Sequence, residues 1–331
     1  MFLGEFISLS VAVSWTVTAL FAEVASKRIG SLPLNVARMV FSLVLFVLTL
    51  SLVMGVPYPR FADGPTWGWL LLSGLVGYVA GDYCLFQGYI LIGSRFGQLF
   101  MTLSAPTAAL MGRLLLGEQM RPLAVIGMLV TLTGIALSIL SKRTPQKGEA
   151  GRHHGLQFNL PLRGILYACG AGIGQGAGLV LSKIGLQHYD AAILQHGLTL
   201  EMVPDGALIP IPLSISMPFA ATMIRTVIGL VSFLTLLLLF SRDGTGQLRR
   251  AVHDRKSMLC ALGSTFFGPF VGVSLSLLAT QYTSAGIAQT LFALTPILII
   301  APAALLFHQR VTVREVIGAM ISVAGVSLFF V

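Results

Sequence analysis

Ten apolar stretches alternate with short polar segments along this chain. A spanning helix needs roughly 20 apolar residues to cross about 30 Å of hydrocarbon, and each stretch approaches or exceeds that length. Most connections are short turns with proline, glycine or charge, which predicts antiparallel neighbours. The pattern therefore predicts an all-α polytopic membrane protein. Its predicted spans are 6–25, 33–55, 67–91, 97–116, 122–141, 162–186, 216–240, 257–279, 285–307 and 314–331.

Two longer segments interrupt this alternation. Residues 142–161 are polar and divide the chain near its middle. Residues 187–215 contain apolar stretches too short and broken to span, which favours a membrane-surface loop or an amphipathic half-helix. We predict a first five-helix repeat at 1–141, a polar central loop at 142–161, and a second repeat at 162–331 with an inserted surface segment at 187–215.

An internal repeat supports this division. A shift of 191 residues places the third to fifth spans on the eighth to tenth, which indicates a duplicated unit. Because five is an odd number, two copies joined in tandem cross the membrane in opposite directions, as inverted repeats do. The matched positions are Gly77/Gly268, Gly81/Gly272, Gln98/Gln289, Gly127/Gly318 and Gly134/Gly325, with Ser26-Lys27/Ser182-Lys183 and Arg38/Arg225 earlier in each half.

Composition excludes several classes of protein. The chain is 55% hydrophobic and 10% charged, whereas soluble proteins average about 25% charged residues. The net charge of +9 lies mainly in short loops, so it indicates membrane topology and not nucleic-acid binding. Three cysteines inside apolar stretches predict no disulfide framework and no metal site. We find no phosphate-binding loop, and we expect no cofactor.

The basic residues also predict an orientation. The loops after odd-numbered spans hold 15 Lys and Arg, and the opposite side holds four. We call the first side the basic face. Basic loops stay cytoplasmic, so this bias places the central loop inside and both termini outside. The 187–215 segment is then extracytoplasmic, where Glu201 and Asp205 can gather cations.

Charged groups inside the spans are the first candidates for function, because they are costly in hydrocarbon. Asp82 lies deep in the third span, and we weigh substrate or proton handling against a structural ion pair with Arg38. Glu23 precedes Lys27 by one helical turn; a local ion pair and proton coupling are the alternatives. Arg38 and Arg225 recur in both halves, which favours a gating or structural role over substrate contact.

Uncharged polar residues within the spans form a second set. Side-chain amides need partners in lipid, so they are expected to face the bundle interior, as cavity lining or as hydrogen bonds between helices. Pro106 and Pro296 are predicted to bend the fourth and ninth spans. The candidate substrate residues are Trp15, Thr18, Asp82, Tyr83, Gln87, Gln98, Thr102, Gln175, Gln281, Gln289 and Thr290.

The chain resembles the EamA-type transporters of the drug/metabolite transporter superfamily. The features that carry the resemblance are the doubled five-helix unit, Ser26-Lys27, Arg38 and the series Pro106, Glu118, Gly127 and Gly134. The resemblance implies a cavity lined by spans 1, 3, 4, 6, 8 and 9 and a location in a bacterial inner membrane. It also implies that both termini are cytoplasmic, whereas the distribution of Lys and Arg predicts that they lie outside. Two departures are the 187–215 segment and Gln309, which stands where the first half has Glu118.

We therefore expect no enzyme but a secondary active or facilitative transporter, an exporter by resemblance, that moves a small metabolite by alternating access around a midplane cavity. One alternative is a flippase for a lipid-linked sugar or another headgroup. The alternative of another class is a membrane-embedded enzyme or binder. The expected partners are a small-molecule substrate and the bilayer, without nucleic acid, and the expected state is a monomer or weak dimer.

Overall fold

The computed structural model describes residues 3–117, 122–141, 157–158, 160–241, 243–282, 291–307 and 311–328, and within them the chain is almost entirely helical. Strands β1 (Leu140–Ser141) and β2 (Gln157–Phe158) pair antiparallel at the central loop, whose remaining predicted residues lie mostly outside the described ranges. The helices are α1 Leu3–Ile29, α2 Ser31–Val53, α3 Gly64–Gly74, α4 Tyr83–Phe100, α5 Ser104–Leu116, α6 Pro122–Ile139, α7 Leu162–Gln195, α8 Leu213–Phe240, α9 Gly244–His253, α10 Arg255–Thr265, α11 Ser274–Tyr282, α12 Thr295–Leu298, α13 Ile300–Phe307 and α14 Val313–Ser327.

Six helical segments among the described residues are long and apolar enough to cross a membrane. One of them, Gly64–Leu116, holds two predicted spans, because the chain turns at Gly93, whose φ of 82° is a backbone conformation that favours glycine. Each of the ten predicted stretches contains described helix, so the ten-span prediction is compatible with the structure.

Two π-helical segments join consecutive α-helices at equivalent points of the two halves. The first, π1 (Leu75–Asp82), joins α3 to α4, and the second, π2 (Phe266–Val273), joins α10 to α11. They begin 191 residues apart, which is the shift found in the sequence. The helices before them are capped alike, since Asp63 accepts from the Thr66 amide and Asp254 from the Ser257 amide.

The first helix of each half packs against the other half. Helix α1 crosses π2, where Ser14 Oγ donates to the Phe267 carbonyl at 2.6 Å. At the equivalent place on π1, Gly174 of α7 lies against the Val76 carbonyl. These contacts match α1 to α7 at a shift of 160 residues, so the predicted equivalence of Ser26-Lys27 with Ser182-Lys183, at a shift of 156, is wrong by about one helical turn.

Helices α6 and α14 pack closely along faces of small residues. Thr131 and Ser322 each donate a side-chain hydroxyl to the other's carbonyl oxygen, both at 3.3 Å. They are 191 residues apart, so equivalent positions of the two repeats meet each other. A Cβ added at Gly134 would come within 2.4 Å of Ser322, and one at Gly325 within 2.4 Å of Thr131, so only glycine allows this approach.

The inserted surface segment begins later than predicted. Helix α7 continues to Gln195 because Tyr189, Ala192 and Ile193 are buried at helical spacing, and Tyr189 and Ile193 cluster with the ends of α2 and α8. Tyr189 Oη also donates to the Arg60 carbonyl at 2.6 Å. Only residues 196–212 form the connecting loop, and α8 starts at Leu213.

Candidate functional site

A cavity lies between the two halves, and most of its lining comes from α1, π1, α4, α7, π2, α11 and the segment 291–296. The cavity has a volume of about 140 Å³, which is room for a small organic molecule. The resemblance predicted such a cavity. Arg38 of the second span, Arg225 of the seventh and Val326 of the tenth also line it, although those spans were not expected to.

The buried carboxylate of Asp82 ends π1 and binds two residues. Arg38 Nη1 donates to Asp82 Oδ2 at 3.0 Å, and Gln175 Nε2 donates to Asp82 Oδ1 at 2.7 Å. Gln175 Nε2 also donates to the Gly77 carbonyl at 3.1 Å. The predicted Arg38–Asp82 ion pair is therefore present, and Gln175 of the second half is bound to it.

Arg38 and Arg225 occupy equivalent places. Arg38 lies against Gly268, and Arg225 lies against Gly77, so each arginine faces the π segment of the opposite half at a residue without a side chain. Their guanidinium carbons lie 4.5 Å from the Phe86 ring centroid and 4.6 Å from that of Tyr78, respectively. Cation–π contact with aromatic faces helps to stabilise charge in the bundle.

Aromatic and amide side chains complete the lining. Trp15 and Phe292 pack with their ring centroids 5.2 Å apart. Gln98 Nε2 donates to Tyr89 Oη at 2.7 Å, and both are buried. The lining thus combines a charged group of residues with apolar rings, the composition expected of a site for a small amphipathic molecule.

The structure brings nine of the predicted residues to this cavity: Trp15, Thr18, Arg38, Asp82, Gln98, Thr102, Gln175, Arg225 and Pro296. Tyr83 and Gln87 do not line it. Gln87 Nε2 donates to Ser31 Oγ at 2.9 Å, as a hydrogen bond between helices. Gln289 and Thr290 lie outside the described residues, and the side chain of Gln281 is not described either.

Glu23 and Pro106 also lie away from the cavity. Glu23 is fully buried near the basic face, where its carboxylate pairs with Lys27 and accepts from the Ser94 amide at 2.6 Å. It anchors α1 to the turn at Gly93 and is not at the surface. Pro106 lies in the first turn of α5, directly after a 3₁₀ turn at Met101–Leu103, where a missing amide hydrogen costs little.

Sequence reasoning missed several lining residues, because aromatic side chains in an apolar span give no separate signal. Tyr78 stands one helical turn before Asp82, so it could have been found by spacing. The π segments were also missed; they recur at functional sites and follow from no simple residue pattern. The missed residues include Tyr78, Phe86, Tyr89, Ser276 and Phe292.

Ion pairs join the two halves at the basic face. Arg28, at the end of α1, binds Asp254 at the start of α10, and Arg95 Nη1 lies 3.2 Å from Glu315 Oε2 of α14. The hydrogen bond from Arg28 lowers the pKa of Asp254 to about 2, so this carboxylate is charged at physiological pH. Within the described ranges there is no group of His, Cys, Asp and Glu that could hold a metal ion.

Comparisons with known proteins agree with this architecture. The model of the EamA-like transporter family matches residues 2–140 and 207–331. The chain belongs to the EamA-like transporter family. The predicted resemblance is thus confirmed, and with it the all-helical, multi-pass membrane fold. No curated protein matches the sequence. A solved structure titled "Crystal structure of protein" matches with a TM-score of 0.56 at 17% identity, covering 98% of this chain and 95% of that one, which supports the fold alone.

Proposed function

We propose that this EamA-like protein is a secondary active or facilitative transporter that exports a small amphipathic metabolite by alternating access. The observation that carries the proposal is the cavity between the halves, which holds buried charges and aromatic rings. Buried ionisable groups within a membrane bundle are costly and are typical of a substrate or ion pathway. Membership of a transporter family supports the same conclusion.

The packing of the halves supports the mechanism. Helices α1 and α7 each cross the π segment of the opposite half on close contacts, such as Gly174 against Gly81. Small residues at a crossing let two backbones touch and slide with little side-chain rearrangement. The Arg28–Asp254 and Arg95–Glu315 pairs then close the basic face and must separate when the cavity opens to that side.

Alternating access can be tested without knowledge of the substrate. We would place a cysteine at Thr18 in a background without Cys84, Cys169 and Cys260, and label it in sealed proteoliposomes with an impermeant maleimide from each side. A transporter exposes position 18 to both sides in turn. Labelling from one side only, under every lipid, pH and gradient condition, would contradict alternating access.

Transport itself requires a substrate assay. Counterflow by purified protein in proteoliposomes, against protein-free liposomes, is expected for at least one small amphipathic metabolite. The direction is tested by comparing right-side-out and inverted vesicles, and export predicts outward flux from cells that express the protein. A turnover reaction that changes the compound chemically would instead favour an enzyme.

A further inference from the structure

Arg225 is a buried cation without a matching anion. The residue is 4% exposed, and its guanidinium stacks on the Tyr78 ring. Among the described residues it has no ion pair, and its Nε has no hydrogen-bond acceptor. A buried charge that lacks a partner is strongly unfavourable, so an anion is expected to complete this place.

The repeat explains why the anion is missing from the chain itself. Arg38 has Asp82 as its partner, but the residue 191 positions after Asp82 is Val273, so no carboxylate stands at the equivalent point of the second half. Within the ranges that the structure describes, no hydrogen bond or ion pair joins Asp82 to Arg225, and the two Asp82 oxygens accept from Arg38 and Gln175 instead.

Further unpartnered donors line the same cavity. The Tyr78 hydroxyl and Arg38 Nε are buried and have no hydrogen-bond partner within the described part of the chain. Tyr78 is the residue on which Arg225 stacks, so its hydroxyl belongs to the same cluster. Arg38, Asp82 and Arg225 are the charged residues of the described lining, which leaves a formal charge of +1.

We infer that the cavity binds an organic anion, whose carboxylate or phosphate oxygens accept hydrogen bonds from Arg225 and the Tyr78 hydroxyl. The apolar body of this anion packs in the part of the cavity lined by Trp15 and Phe292. The planar guanidinium suits both oxyanions, since it donates two parallel hydrogen bonds. This inference rests on the proposed transport function and names its substrate class.

The test compares probes of similar shape and different charge on the purified full-length protein. Benzoate, phenyl phosphate, benzylamine and benzyl alcohol are titrated in a thermal-unfolding assay free of competing oxyanions. We expect at least one of the two oxyanions to raise the unfolding temperature more than the amine or the alcohol does. The stronger of the two identifies the carboxylate or the phosphate. Equal or larger stabilisation by benzylamine, or none by either oxyanion, would overturn the inference.

Variants locate the binding. Arg225→Gln is expected to weaken the preferred oxyanion about 10- to 100-fold, the effect of a lost charge-assisted hydrogen bond. Arg249→Gln removes one charge from the exposed helix α9 and is the matched control, with unchanged affinity. Arg225→Lys keeps the charge but not the paired donors, so an intermediate loss is expected even if Arg225→Gln does not fold. Oxyanion binding of wild-type strength in either Arg225 variant would refute the assignment.

The same probes separate this inference from the proposed function. Counterflow of benzylamine, with no counterflow of either oxyanion, would overturn the anion class and leave transport intact. Tight oxyanion binding without any counterflow would support the site and count against transport.

Discussion

Arg28 and Asp254 form a bidentate pair, in which Arg28 Nε and Nη2 donate to the two carboxylate oxygens at 2.8 and 3.1 Å. The first residue belongs to α1 and the second caps α10, so the pair joins the halves at the basic face. On the opposite face, the repeat equivalent of Asp254 is Asp63, which caps α3. The equivalent of Arg28 is His188, which stands 160 residues after it.

Asp254→Asn removes this charge pair, and we expect the basic face to open more often. Labelling of a cysteine at position 18 from that face should become several-fold faster than in the parent. Asp243→Asn is the control, because its exposed pair with Arg250 lies within α9 and its cap and does not join the two halves. Equal labelling rates in the two variants would argue against a gate.

The same pair predicts little pH dependence in the physiological range. The pKa of Asp254 is lowered to about 2, so the pair's stabilisation is fully present above the usual aspartate value and is lost only as the pH falls through about 2. Labelling from the basic face should therefore not change between neutral and mildly acidic pH on account of Asp254. A rise in labelling at mildly acidic pH that Asp254→Asn abolishes would contradict this lowered pKa.

Asp82→Asn leaves Arg38 buried without its carboxylate, and loss of one partner of a buried pair costs about 3–5 kcal/mol. We expect a lower unfolding temperature and loss of any proton-driven uptake. The double variant Asp82→Asn, Arg38→Gln should recover much of the stability. If the single variant keeps both its stability and its gradient-driven transport, Asp82 has neither role.

Gln98→Leu removes the donor to the buried Tyr89 hydroxyl and should destabilise the protein by about 1–3 kcal/mol while weakening ligand binding. Gln87→Leu is the matched control, since Gln87 is the same residue type on the other side of the turn at Gly93 but lines no part of the cavity. We expect the control to bind ligand normally. Unaltered binding in Gln98→Leu would reassign Gln98 to helix packing.

Gly174→Ala tests the close crossing of α7 and π1. A Cβ there would stand 2.9 Å from Gly81 Cα, so the backbones must separate, at a cost of about 1–3 kcal/mol. Gly68→Ala on α3 meets nothing within 4 Å and should be tolerated. Thermal unfolding of both variants is the measurement, and equal stability would show that the crossing is looser than described.

The predicted orientation also remains a prediction. A reporter fused after Val331 should be active outside the cytoplasm, and Gly148→Cys should be labelled only from the inside. A cytoplasmic reporter at the C-terminus would show that the charge bias does not govern this chain.

Much of the helical arrangement could be predicted because hydrocarbon thickness imposes a strong length signal, and the repeat shift of 191 appears in both sequence and structure. The end of α7 was misplaced, because burial of Tyr189 under neighbouring helices leaves no mark in a hydropathy pattern. The alignment of α1 with α7 was misplaced for a related reason. The shared Ser-Lys pair is a short local match, whereas the contacts of each helix with the other half decide which positions are equivalent.

Within the cavity, the sequence indicated the buried charges and suggested the Arg38–Asp82 pair, but it did not show which arginine is left without a carboxylate. One sequence does not show side-chain contacts between the halves, so it does not show that Arg225 lacks the ion pair that Arg38 has. Gln87 and Gln98 are the same residue type on opposite sides of the turn at Gly93, yet only Gln98 lines the cavity. The turn places them on neighbouring spans, and the hydrophobicity around both is too uniform to indicate which of them faces the cavity.

The reciprocal bonds of Thr131 and Ser322 have a consequence for motion. A contact between equivalent positions of the two repeats lies on the pseudo-twofold axis. If the two halves exchanged conformations, the same two residues would still face each other. Off-axis contacts such as Arg28–Asp254 instead map onto different residues, here His188 and Asp63. In the proposed alternating access, helices α6 and α14 would therefore keep their mutual contact, while the two sets of off-axis contacts form in turn.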